Sequence, residues 1–572
     1  MRAYATPSKR WIGALFISAL VIAAACGGSS ATRPKSEIDF AAESWPKEGA
    51  ADCPVDDAGR TVLNMRRIVS TDEHTVRFEL CKPDPAFLSK LALAPMVVND
   101  SGYLATAGVD GTIATVPNGT GPWKVDSWVN GEQIVFSRFD GYWGEKAKVK
   151  QLVITWQPEG NARLLQVQAG LADGASSIVS DDYASAESDA SLALFKRAPI
   201  VINYYFFNNK FAPFSDIRVR QAIAQGVDRA RVTENFFPAG SELARTIVPC
   251  SVQLACKGED WYPYDPAAAR ALLAEAGYPN GFKTKIVVRD RISSQTPQPK
   301  EMAVDLQAQL KEIGIDATIE VVESTTWQAG ARAGELDGIM IGGGWIPDFL
   351  DPSNYLDFIF LSGSGGSPRF GAIYSDIEAT LMQADSTMGS AEREALYAEV
   401  EGLIKKNVPM VPNTYASSAA LFRADVKGAY ASSVQLEQLS LLTPSTRDKL
   451  VWLIEGEPNT LYCPDNPSNQ DAYASCFQFA EGLYRVDPIT SLATPSLAQS
   501  CTASKDGLTW TCTIRSGVKF HNGASLDATD VVDSFAVMWD CAHPWRAGST
   551  GTFLNWSFIS GYLHPEACSA GN

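Results

Sequence analysis

Between residues 212 and 415, strand-like and helix-like segments alternate, and this alternation restricts the chain to a mixed α/β architecture. The segment "YDPAAARALLAEAGYPNGF" (264–282) carries its own boundaries. Asp265 is placed to cap the helix, Pro266 takes the first turn, where a missing N–H costs nothing, and Gly277 supplies the stop. Met302, Leu306, Leu310 and Ile313 recur at helical spacing up to Gly314 and predict a second helix with one apolar face. "IDATIEVV" alternates as a strand does, a short polar helix runs from about Trp327 to Gly334, and "GIMIGGGW" reads as a buried strand.

The first 26 residues read as processing sequence. Arg2, Lys9 and Arg10 precede the 15-residue apolar run "WIGALFISALVIAAA", too short to span a bilayer comfortably. The run ends at Cys26, before a polar 27–36 linker. The pattern resembles a bacterial lipoprotein signal, in which the Cys26 sulfur takes a diacylglycerol, although "AAAC" lacks the usual leucine; the alternative is ordinary signal cleavage. The remaining sequence has no apolar run of 18 residues. With 572 residues, 45 % of them hydrophobic, the chain can bury a large core in two or three domains. A formal charge of −17 argues against nucleic acid and anionic membrane surfaces as partners.

Apart from Cys26 there are ten cysteines, an even number that suits an oxidising compartment. In "CTASKDGLTWTC", Asp506-Gly507 predicts a two-residue hairpin turn, and counting outward sets Cys501 opposite Cys512 at a hydrogen-bonded position. Cys250/Cys256 and Cys463/Cys476 close short loops, while Cys53, Cys81, Cys541 and Cys568 allow three pairings. There is no CxxC, and His74, His521, His543 and His564 are scattered, so no metal is expected.

"SGVKFHNGASLDATDVVDSF" (516–535) predicts a strand, a His-Asn-Gly turn and a helix capped by Asp527, and nothing in it looks catalytic. Together with "GTGPWKV" (119–125), "GYWGEKAKVKQLVI" (141–154), "NARLLQVQAGLAD" (161–173), "YFFNNKFAPFSDIRVRQAIAQGVDR" (205–229), the 264–282 helix, "GGWIPDFLDPSNYL" (343–356), "EGEPNTL" (455–461) and "FAEGLYRVDP" (479–488), it resembles the family 5 solute-binding proteins of ABC transporters, the dipeptide- and oligopeptide-binding group. In that family the last two segments and the His-Asn-Gly motif come first. Here they come last and each occurs once, which implies a circular permutant joined at "TPSTRDK" (443–449), with new ends near Glu37 and Gly561; the alternative is a gene-level splice of two incomplete proteins.

The resemblance implies a two-lobed, three-domain periplasmic-binding-protein-like α/β fold (type II, cluster C-like), circularly permuted. The peripheral domain comprises 37–154 and 489–572, the first core lobe 155–211 and 416–488, and the second lobe 212–415, with hinges near Asn208–Pro213 and Met410–Tyr415. It also implies capture of a peptide in the cleft by a lipid-anchored monomer that delivers it to an ABC permease, with no cofactor. An oligosaccharide, a metal chelate, another amine or a sensor role are the alternatives on the same fold.

By resemblance, Asp348, three residues after Trp345, pairs with the ligand's ammonium. The backbone from Gly343 through Gly344 to Ile346 bonds an extended peptide, and Trp345 covers it. Arg289 or Arg291, after the strand "TKIVV", takes the carboxylate, and Asn208 lies near hinge and ligand. There is no GxSxG or HExxH, and an enzyme is not expected.

Overall fold

The computed structural model describes residues 40–569 except 57–58, 363, 365, 446, 467–469, 549–552, 554–555 and 558. Cys26, its signal and the 27–36 linker lie outside the described residues. Among the described residues no helix is long and apolar enough to cross a membrane.

Three large sheets organise the chain. A six-stranded sheet runs in the order Glu242–Leu243, Met410–Ala416, Val201–Phe207, Ile339–Trp345, Phe282–Asp290, Ile315–Glu323. Its last three strands are parallel and joined by the helices Pro299–Glu312 and Ser324–Ala333, as the alternation requires. A five-stranded antiparallel sheet combines Ser44–Trp45, Met65–Asp72 and Thr75–Leu80 with two strands from the far end of the chain, Thr509–Ile514 and Ala498–Ala503. A seven-stranded sheet has Lys449–Ile454 inserted between Gln151–Trp156 and Gly174–Ala175, parallel to both.

Each sheet has its own apolar core. The six-stranded sheet packs against buried residues drawn entirely from 200–416. The five-stranded sheet buries one face on the helix Ala528–Trp539, so that both ends of the chain share a core. In the seven-stranded sheet, Leu450, Trp452 and Ile454 face one core while Val451 and Leu453 face another, the two-residue period of a strand buried on both sides.

The helix limits follow the sequence signals. Asp265 accepts hydrogen bonds from the amides of Ala267 and Ala268, and Asp527 and Asp530 form a reciprocal capping box, each cap worth about 1 kcal/mol. His521, in the turn of the 516–535 motif, accepts from the Gly119 amide at 3.3 Å through Nδ1, and its Nε2 lies 3.0 Å from the Gly121 oxygen. Burial lowers its pKa to about 4, so the ring is a neutral brace between distant segments. Gly119 is required there: a Cβ would lie 1.9 Å from the Phe479 carbonyl oxygen.

The pairings Cys501–Cys512, Cys250–Cys256 and Cys463–Cys476 are present, and the four remaining cysteines pair as Cys53–Cys81 and Cys541–Cys568. The 501–512 hairpin corrects one expectation. Its register is the expected one, but Ser504 donates to Thr509 and accepts from Gly507 around a longer turn. This shifts the alternation by one step and puts Cys501 and Cys512 at a non-hydrogen-bonded position with Cα atoms 4.0 Å apart.

Two other placements differ from expectation. Val201–Phe207 pairs with Ile339–Trp345 and Met410–Ala416, so it belongs with the six-stranded sheet and not with the residues before it. The chain therefore crosses between sheets at 197–200 and returns at 417–418, not at 208–213 and 410–415. Residues 123–156 pair within the seven-stranded sheet rather than with the strands of the peripheral segment.

Candidate functional site

The segment that follows the strand Ile339–Trp345 lies where two cores meet. Trp345 and Leu350 pack on the core of the six-stranded sheet, whereas Phe349 is buried in the core of the five-stranded sheet. Val434 touches both cores from a third direction. Asp348 is held at this seam.

Asn354, on the helix Pro352–Phe360, organises the segment. Its side-chain oxygen accepts from Trp345 Nε1 and from the Asp348 amide, each at 2.9 Å, and its Nδ2 lies 3.4 Å from Asp348 Oδ2. Asp351, the cap of that helix, is itself clamped by the buried Arg393, which leaves Asp348 as the available carboxylate of the "DFLD" pair. No cation lies within ion-pairing distance of Asp348 among the described residues, and burial raises its carboxyl pKa to about 6.

The strand Ile339–Trp345 pairs with Phe282–Asp290 only as far as Ile341, while on its other edge pairing continues to Trp345. The backbone from Gly342 onward is thus free of a strand partner on one side, with the Gln295 side chain lying over Gly344. Ile346 is exposed. Trp345 stacks on Phe358 at a centroid distance of 4.4 Å.

Arg289 Nε donates to Ser324 Oγ at 2.9 Å, and its guanidinium lies 5.8 Å from the Trp327 ring. Burial and the charges of Arg291, Arg369 and Arg332 lower its pKa to about 10. Arg291 is exposed two residues on. Asn208 is buried, donates to the Gly334 oxygen at 2.7 Å and accepts from the Lys210 amide at 3.1 Å. Its polar atoms are engaged within the fold, so it braces the structure rather than presenting a free group to a ligand. Sequence reasoning missed Asn354, Phe358 and Arg369; only the spacing of Trp345 from the 352–360 helix hinted at the first.

Paired crossings join the six- and seven-stranded sheets, and a polar segment lies where the cores of the six- and five-stranded sheets meet. The chain belongs to the bacterial extracellular solute-binding proteins, family 5, whose description matches residues 37–367 and 493–561. Solute binding outside the cytoplasm, not catalysis, is the family's role. The chain is 28 % identical to Heme-binding protein A of Haemophilus influenzae over 64 % of its length and 67 % of that protein's. It is 26 % identical to the dipeptide-binding protein of Escherichia coli over 64 % and 69 % of the two chains. The solved structure of DppA from Helicobacter pylori in complex with the peptide STSA is similar with a TM-score of 0.56 at 26 % identity, covering 67 % of this chain and 75 % of that one.

Proposed function

We propose that this protein captures a short peptide between the core of the six-stranded sheet and that of the five-stranded sheet, and that it hands the peptide to an ABC permease while anchored through a lipidated Cys26 as a monomer. The observation that carries this reading is Asp348, a carboxylate at the seam with no cation partner among the described residues. A carboxylate kept from water is costly until a cation meets it, and a peptide's ammonium is such a cation. The backbone edge beyond Ile341 suits an added strand, which binds peptides through main-chain groups whatever their side chains. Arg289 or Arg291 receives the terminal carboxylate. The names of the E. coli and H. pylori relatives support a peptide as the solute.

In this reading the chain is also a circular permutant. Two facts support it. Lys449–Ile454 completes a sheet begun by residue 151, and the family match falls in two separated stretches. In keeping with this reading, residues next to the proposed end near Gly561 meet the early part of the chain: the Met65 amide donates to Ser560 Oγ at 2.6 Å, and Gly561 packs on the Val62 carbonyl.

Calorimetric titration with dipeptides, alongside X-ray scattering, tests the function. Saturable binding with a smaller radius of gyration is expected. Co-purification of a sugar, or unchanged peptide affinity in Asp348→Ala, would overturn the reading.

A further inference from the structure

Arg289 belongs to a larger set of positive groups. The Trp327 ring beneath it meets Phe206 edge-on at 5.8 Å. The Arg369 guanidinium lies 5.9 Å from Phe206 and 5.5 Å from Phe358, and Phe358 is the ring stacked on Trp345. Two ring pairs, Trp327 with Phe206 and Phe358 with Trp345, thus flank the Arg369 guanidinium and link Arg289, Arg369 and the Asp348 segment. Arg332 occupies the last turn of the helix Ser324–Ala333. The Gly334 that ends this helix presses on the Pro368 carbonyl, where a Cβ would sit 2.6 Å away, next to Arg369. Arg291 follows Arg289 by two residues, its amide bonded to the Arg289 oxygen.

None of these four arginines has an ion-pair partner among the described residues. Glu323, the acid whose charge favours ionised Arg289, accepts hydrogen bonds from the Thr325 and Thr326 amides as the cap of the same helix. Arg369 donates one long bond, 3.4 Å, to the Tyr204 hydroxyl, and its Nε is buried with no acceptor. Gathering four like charges, two of them over aromatic rings, is unfavourable unless anions share the space. A peptide's terminal carboxylate neutralises one guanidinium and leaves the others uncompensated.

We infer that Arg332 and Arg369 form a second anion subsite beside the Arg289–Arg291 carboxylate position, so that the preferred solute is a short peptide with an acidic side chain. This rests on the peptide-binding reading above. A guanidinium fork matches a side-chain carboxylate, and the rings beside Arg369 keep its guanidinium partly dry, which strengthens the pair.

The test is titration of the full chain with Ala-Ala, Ala-Glu and Ala-Lys at low and moderate salt. Ala-Glu is expected to bind about tenfold or more tightly than Ala-Ala, and Ala-Lys more weakly, with the preference shrinking as salt rises. Arg369→Gln should bring the ratio of Ala-Glu to Ala-Ala affinity toward one, and the exposed Arg332→Gln, which carries no risk to the core, should lower the same ratio. If Ala-Ala and Ala-Glu bind alike, or if both variants leave the ratio intact, the subsite is overturned while peptide capture survives. If no peptide binds, both fall.

Discussion

The hydroxyl of Ser417 donates to the main-chain oxygen of Arg197 at 2.7 Å, and the Arg197 amide donates to the Ser418 oxygen at 2.8 Å. These residues sit on the two stretches that pass between the six- and seven-stranded sheets, so the crossings are bonded to each other side by side. The Arg197 guanidinium continues inward to the Ser432 oxygen and to the Glu437 carboxylate, both side chains of the ion pair being almost fully buried.

Removing one member of that pair strands a charge in the interior. Arg197→Ala is expected to cost about 3–5 kcal/mol, read from denaturant midpoints at constant slope. A loss under 1 kcal/mol would show that water or a rearranged crossing satisfies Glu437.

Binding of a peptide ammonium requires Asp348 ionised. Its free-state pKa is about 6, and pairing with a cation lowers that value, so binding releases a proton at acidic pH. Affinity for dipeptides should therefore fall as pH drops through about 6, with a limiting slope near tenfold per pH unit. It should also fade above about 8, where the ligand amine loses its proton. Asp348→Asn should flatten the acid limb and weaken binding about 10- to 100-fold at pH 7, as calorimetry would record.

Asp357 and Asp385 face Lys82, Lys90 and Asp84 across the same seam, with Asp351 behind them. Burial, followed by the charge of Asp385, raises the Asp357 pKa well above the usual carboxylate range, and its Oδ1 is buried without a hydrogen-bond donor among the described residues. With the folded-state pKa above the unfolded one, ionised Asp357 costs stability at neutral and higher pH, and the cost disappears below the unfolded pKa. Asp357→Asn should thus raise the melting temperature at pH 8, with the gain shrinking to nothing near pH 4. A variant that melts lower at pH 8 would contradict this.

Reordering the gene tests the permutation directly. A chain that starts at Lys449, runs through Gly561 to residue 40 by a short linker, and ends near Pro444 should fold with the same near-ultraviolet dichroism and bind the same solutes. Asp173 makes the demanding point of this test, because it accepts from the Val451 amide at 2.7 Å just after the new start, while its other donor, Arg447 at 2.6 Å, goes with the deleted joint. Loss of cooperative unfolding would count against permutation.

What could be read from sequence was what local chemistry dictates. Asp265 and Asp527 cap helices because a carboxylate two or three residues before free amides satisfies them wherever the helix ends up. The partners of Cys501 and Cys512 followed from counting along a hairpin, although the turn proved longer. Sheet membership was harder. "VINYYFF" is buried at every position, so no alternation reveals a face or a preferred neighbour, and the crossings were expected some ten residues too late on the first pass. Arg369 was invisible for another reason: it lies in a short turn with no periodicity, and only tertiary packing brings it to the rings of Phe206 and Phe358.

All five disulfides close loops of 28 residues or fewer, and each falls within a single sheet's surroundings. Reductant would loosen either jaw without touching the pivot, since Arg197 and Ser417 hold it by bonds that thiols leave alone. Oxidising surroundings therefore toughen the separate parts, while the join between them depends on hydrogen bonds alone.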